Sequence, residues 1–71
     1  MSNIYIVWEK KGESPYMPLL ASNSEAVAAA ERAYKQAEND RFMVLYPTVT
    51  TPSKYIVTVA QGENPNDRQA Q

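Results

Sequence analysis

Ser22-Asn23-Ser24-Glu25-Ala26-Val27-Ala28-Ala29-Ala30-Glu31-Arg32-Ala33-Tyr34-Lys35-Gln36-Ala37-Glu38 is the stretch that decides the fold. Ser22 and Glu25 have the S-x-x-E spacing of a capping box, in which the hydroxyl accepts the third helical amide and the carboxylate reaches back to the cap's own amide. From Asn23 to Glu38 there is no Gly or Pro, and Ala stands at 26, 28, 29, 30, 33 and 37; alanine is the best helix former. At about 100° per residue, Ala26, Val27, Ala30, Ala33, Tyr34 and Ala37 share one side, while Glu31, Arg32, Lys35 and Glu38 point elsewhere. That stripe is mostly methyl groups. It implies a helix that approaches a sheet closely and takes its apolar bulk from the strands, with Val27 and Tyr34 as its sizeable anchors.

Strands are expected on both sides of the helix. Asn3-Ile4-Tyr5-Ile6-Val7-Trp8-Glu9 is dense in β-branched and aromatic residues and runs into the polar loop Lys10-Lys11-Gly12-Glu13-Ser14-Pro15. Tyr16-Met17-Pro18-Leu19-Leu20 resumes apolar character, but Pro18 lacks an amide donor and confines this strand to a sheet edge or a bulge. Asn39-Asp40 is expected to end the helix; Arg41–Tyr46 then reads as a third strand and Lys54–Ala60 as a fourth, joined by a loop with Pro47 and Pro52 near its ends. The expected fold class is therefore α+β: a three- to four-stranded, mainly antiparallel sheet with one α-helix packed on one face, in ββαββ order. Residues 1–60 form a single domain, and the polar tail 61–71 is expected to be disordered.

The chain has 71 residues, too few for a second domain, and folding at this size buries only about 60% of the unfolded surface. His and Cys are both absent, which removes the usual zinc ligands, any disulfide and the thiolate nucleophile. The serines lack a histidine base, and two glycines do not make a phosphate loop. Glu9 with Glu13, Glu25 with Glu31, and Glu38 with Asp40 fall on expected loops or solvated helix positions, where carboxylates are commonplace. No enzyme, cofactor or metal site is expected. Seven basic and eight acidic residues give a net charge of -1 with no basic run, which weighs against nucleic acid as a partner. The apolar run Ile4–Trp8 is too short for a signal sequence or a membrane span, so a cytoplasmic location is expected.

Function is expected to lie in uncovered apolar surface. Side chains alternate between the faces of a strand, and all the expected long strands are apolar on both. A helix of about 24 Å by 10 Å covers one face only. The expected core is Ile4, Ile6, Trp8, Phe42, Val44, Val57 and Val59, leaving Tyr5, Val7, Met43, Leu45 and Ile56 as the partner-binding side. The partner is another protein, such as a host or defence factor, or a second copy forming a homodimer or a structural homo-oligomer. A single-stranded nucleic-acid platform is the weaker alternative: the five tyrosines could stack bases, but core packing accounts for such rings at lower cost.

The passage from Tyr5 to Val44, with Tyr16-Met17-Pro18-Leu19-Leu20-Ala21-Ser22-Asn23-Ser24-Glu25-Ala26 leading from an apolar-Pro-apolar strand into an alanine-rich helix, resembles small bacteriophage proteins. In layout it is similar to the family of T7-type phage inhibitors of host RNA polymerase. The resemblance covers about half the chain, and it implies a compact phage accessory protein that acts in the host cytoplasm by occupying a surface. The family's contact arginines on the strand after the helix have no counterpart in Phe42-Met43-Val44-Leu45-Tyr46.

Overall fold

A computed structural model describes residues 3–60 and 64–66. Strand β1, Tyr5–Lys11, is followed by β2, Met17–Ser22, the helix α1, Glu25–Leu45, and β3, Ser53–Val59. All three strands form one antiparallel sheet in the order β2-β1-β3. The class is α+β, with ββαβ order in place of the expected ββαββ.

That difference comes from one segment. Arg41–Leu45, whose aromatic and β-branched residues suggest a strand, is the end of α1. An established helix gains one hydrogen bond for each residue it adds, whereas a new strand must first find a neighbour. Asn39 and Asp40 are mediocre helix formers but not breakers; the barrier is Pro47, and the helix ends just before it. Tyr46 caps it by donating its amide to the Phe42 carbonyl at 2.7 Å. The start is also displaced from the capping box. The N-cap is Ser24, whose hydroxyl accepts the Val27 amide at 3.2 Å. Ser22 closes β2 and accepts the Ser24 amide at 3.0 Å.

β2 is an edge strand, as Pro18 requires, and its pairing slips beside that proline: Val7 faces Leu20 while Trp8 faces Pro18, leaving Leu19 as the extra residue of a bulge. The loop between β1 and β2 turns at Gly12, whose φ of 56° lies in the left-handed region that glycine enters freely. Gly12 also donates to the Pro52 carbonyl at 2.7 Å, tying this turn to the start of β3.

Register fixes the two faces of the sheet. Tyr5, Val7 and Glu9 of β1 lie opposite Val59, Val57 and Tyr55 of β3, and α1 packs over this side. Ile6, Trp8 and Lys10 lie opposite Thr58, Ile56 and Lys54 on the other. The expected core mixes the two sides, pairing Ile6 and Trp8 with Val57 and Val59. Ile4, Phe42 and Val44 from that set are exposed, and the buried apolar side chains are Val7, Tyr16, Ala28 and Tyr55. A slab of 45 × 29 × 13 Å has little interior, and among the described residues these four, with Pro65, make up its apolar part.

The far side of the sheet is not bare. Trp8 donates its ring N–H to the Thr58 hydroxyl at 2.7 Å. Asn66, within the tail expected to be disordered, brackets Tyr16: its Oδ1 accepts the Tyr16 amide at 2.7 Å and its Nδ2 donates to the Tyr16 carbonyl at 3.1 Å. Pro65 beside it is buried. The remaining tail positions lie outside the described residues.

Candidate interaction surface

The residues of α1 that face the sheet are polar. β3 is the sheet's other edge, so Ser53 and Tyr55 turn their backbone groups away from β1 and towards the helix. Gln36 donates Nε2 to the Ser53 carbonyl at 3.1 Å and accepts the Tyr55 amide on Oε1 at 3.1 Å. Asn39 donates Nδ2 to the Thr51 carbonyl at 3.1 Å and accepts the Ser53 amide at 3.3 Å. Arg32 donates to the Tyr55 carbonyl at 3.2 Å. A carboxamide carries one acceptor and two donors in a plane, much as a peptide group does, so three side chains spaced along one helix face stand in for a missing fourth strand. Ala28 is the one fully buried helix residue and sets the close approach.

The alanine stripe therefore points outward. Ala26, Val27, Ala30, Ala33, Tyr34 and Ala37, expected against the sheet, are all exposed, Tyr34 by 63%. The apolar surface continues past the helix end, with Val44 80%, Leu45 58% and Val49 79% exposed. This tip has a fixed shape. Phe42 and Tyr46 stack with ring centroids 6.1 Å apart, and Thr50 donates its amide to the Tyr46 carbonyl at 3.1 Å and its hydroxyl to the Phe42 carbonyl at 3.1 Å.

The five residues expected as a binding side do not assemble. Val7 is fully buried, and Tyr5 lies half-buried on the same helix-covered side. Ile56 is half-buried on the opposite side of the sheet, and Met43 is half-buried on α1. Leu45 alone is well exposed, on the helix and not on a strand. Most of the exposed apolar surface lies on the outside of the helix and at its tip, with Ile4, Met17 and Leu19 also exposed on and beside the sheet. The clue to this was in the sequence: Arg32, Gln36 and Asn39 recur at intervals of four and three, a polar helix face as regular as the apolar one.

Between the tip and the sheet lies an open cleft of about 290 Å³ bordered by Glu9, Glu38, Phe42, Thr51 and Tyr55. Glu9 belongs to β1 and not to a loop, and it accepts the Tyr55 hydroxyl at 2.6 Å. Burial, and then the adjoining Glu9 carboxylate, push the Tyr55 hydroxyl up to about 12, so it stays a proton donor across the physiological range. Lys11 sits 3.9 Å from Glu9. The cleft holds a satisfied hydrogen-bonded pair, with no activated nucleophile among its lining residues. Among the described residues there is no group of three or more His, Cys, Asp or Glu placed to hold a metal ion, and no helix is long and apolar enough to cross a membrane. No protein family, curated protein or solved structure matches the chain.

Proposed function

We propose that the chain is a non-enzymatic protein-binding module that acts by covering a partner's surface with the apolar tip at the end of α1. The supporting observation is the run of exposed apolar side chains Val44, Leu45, Tyr46 and Val49, next to a stacked Phe42 and held by hydrogen bonds that fix its shape before any partner arrives. Exposed apolar patches of this kind are uncommon on monomers, and a contact surface that is already ordered loses less entropy on binding. Within this reading, the resemblance of the strand-turn-helix passage to phage inhibitors supplies the finer class: a phage-encoded inhibitor of a host or defence protein, acting by steric occlusion in the host cytoplasm. The strand after the helix is β3, and its one basic residue is Lys54, so contacts would be mainly apolar and not arginine-driven.

The test is affinity capture from host lysate with the native sequence and with a Tyr46→Asp/Val49→Asp variant, followed by titration calorimetry of the captured protein. The expected result is a protein held by the native chain and released by the variant, whose circular dichroism is unchanged. Equal capture by both chains would rule out the tip as the contact.

A further inference from the structure

The outward face of α1 has a second property: it is complementary to itself. Val27 lies near its start, Val44 and Leu45 near its end, and Tyr34 and Ala37 flank its middle, with alanines between. Rolling the helix to bury this face in its own sheet would break the bonds from Arg32, Gln36 and Asn39 to the edge of β3. The face is therefore left for an outside surface. Glu31 and Glu38 lie along one border, and Arg41 stands within the stripe beside Tyr34 and Ala37. Among the described residues the one ion pair joins Lys11 to Glu9, so neither Arg41 nor Glu31 has an oppositely charged partner there. Arg41 has only the Phe42 ring, at 5.9 Å.

We propose that a second copy of this chain covers the outward face, with the two helices antiparallel. This deepens the protein-binding reading by naming the partner of a surface adjoining the tip. A two-fold axis crossing the stripe between Lys35 and Gln36 sets Tyr34 of each copy over Ala37 of the other, a ring over a methyl group, and brings Val27 level with Val44 and Leu45. Two-fold contacts require this reciprocity. The same axis puts the acidic borders side by side in opposite directions, so Arg41 of each copy comes nearly level with Glu31 of the other and two ion pairs form. A parallel two-fold pair would put the acidic borders on opposite sides of the contact and keep Glu31 and Arg41 about 15 Å apart along the axis, so neither ion pair would form. Alanines let the helix axes approach to about 8 Å, the close end of the usual range. The stripe is only about 28 Å long, which places the contact among small, weak interfaces and the dimer in the micromolar range. Val44 and Leu45 are shared with the tip and are covered in the pair, whereas Tyr46 and Val49 lie off the stripe and stay available in both copies.

Sedimentation velocity from low to high micromolar concentration tests this. The native chain is expected to pass from monomer to dimer over that range. Ala37→Glu, which puts a charge under the Tyr34 ring of the other copy, and Arg41→Glu are each expected to weaken association about tenfold or more, and Arg41→Glu combined with Glu31→Arg to return it to within about threefold of native. Ala37 and Arg41 are exposed and Glu31 is partly so, and unchanged circular dichroism verifies the fold. A monomer at every concentration, association indifferent to Ala37→Glu, or a charge swap that restores nothing overturns the proposal. The tip variant Tyr46→Asp/Val49→Asp keeps the two readings apart: it should dimerise like the native chain. If the native chain stays monomeric yet the tip variant loses the captured protein, the dimer alone is refuted.

Discussion

The two long faces of α1 differ in a way opposite to the ordinary amphipathic helix. Towards the sheet stand Arg32, Gln36 and Asn39 around a single buried alanine; towards solvent stand five alanines with Val27, Tyr34, Val44 and Leu45. The cause is the surface each face meets. A sheet face offers side chains and rewards methyl groups, but the edge of β3 offers backbone N–H and C=O groups, and leaving one of these buried without a partner costs about 1–3 kcal/mol. Burying one alanine methyl returns less than about 1 kcal/mol. The four partly buried backbone groups of Ser53 and Tyr55 therefore outweigh the four alanine methyls of the stripe, and their pairing with the helix also blunts an edge that would otherwise recruit a foreign strand.

The largest effect is expected from Gln36→Leu. It makes the inward face apolar, as an ordinary helix would have it, and strips partners from the Ser53 carbonyl and the Tyr55 amide. Stability is expected to fall by about 3 kcal/mol in urea melts. A neutral or stabilising result would mean that burial, and not the edge, sets the orientation of the helix.

A second, smaller effect tests the cleft beneath the same face. Tyr55→Phe removes the donor to Glu9 and is expected to cost about 2 kcal/mol at neutral pH, as for a hydrogen bond to a charged group. The cost should itself depend on pH. A hydroxyl whose pKa is about 12 when folded and 10.0 in its ordinary state contributes stability that is complete below about pH 10 and is lost as the pH rises towards 12. The difference between the native chain and the Tyr55→Phe variant should therefore shrink over that interval. A constant difference from neutral to strongly alkaline pH would show that Tyr55 is not held protonated.

These contrasts also show how far the sequence could be read. β1, the edge position imposed on β2 by Pro18, and β3 follow from local chemistry: β-branched runs, a missing amide and alternation. The apolar stripe of α1 is equally legible as a pattern. Its direction is not, because direction depends on which strand edge the helix follows as it crosses the sheet, and that is settled by strand order, a non-local property. The same applies to Phe42-Met43-Val44-Leu45-Tyr46. Its composition favours a strand, but a strand needs a partner in space, while the helix already present needs only the next residue. The candidate site inherits both errors: composition puts Met43 on a sheet when it stands on α1, and alternation alone assigns Val7 to the surface when it lies at the centre of the slab.

The least disruptive substitution is the one that most directly asks whether the outward face is free in the monomer. Ala33 lies on the exposed stripe, so Ala33→Leu adds bulk on the solvent side of the helix. Measured at a concentration low enough to keep the chain monomeric, stability should change by less than about 0.5 kcal/mol, since leucine and alanine differ little in helix propensity. Were the stripe packed against the sheet, the added carbons would have to displace neighbours and the same change would cost about 1–3 kcal/mol. A small value for Ala33→Leu beside a large one for Gln36→Leu would place the unused apolar surface on the outside of α1; the reverse ranking would turn the helix over.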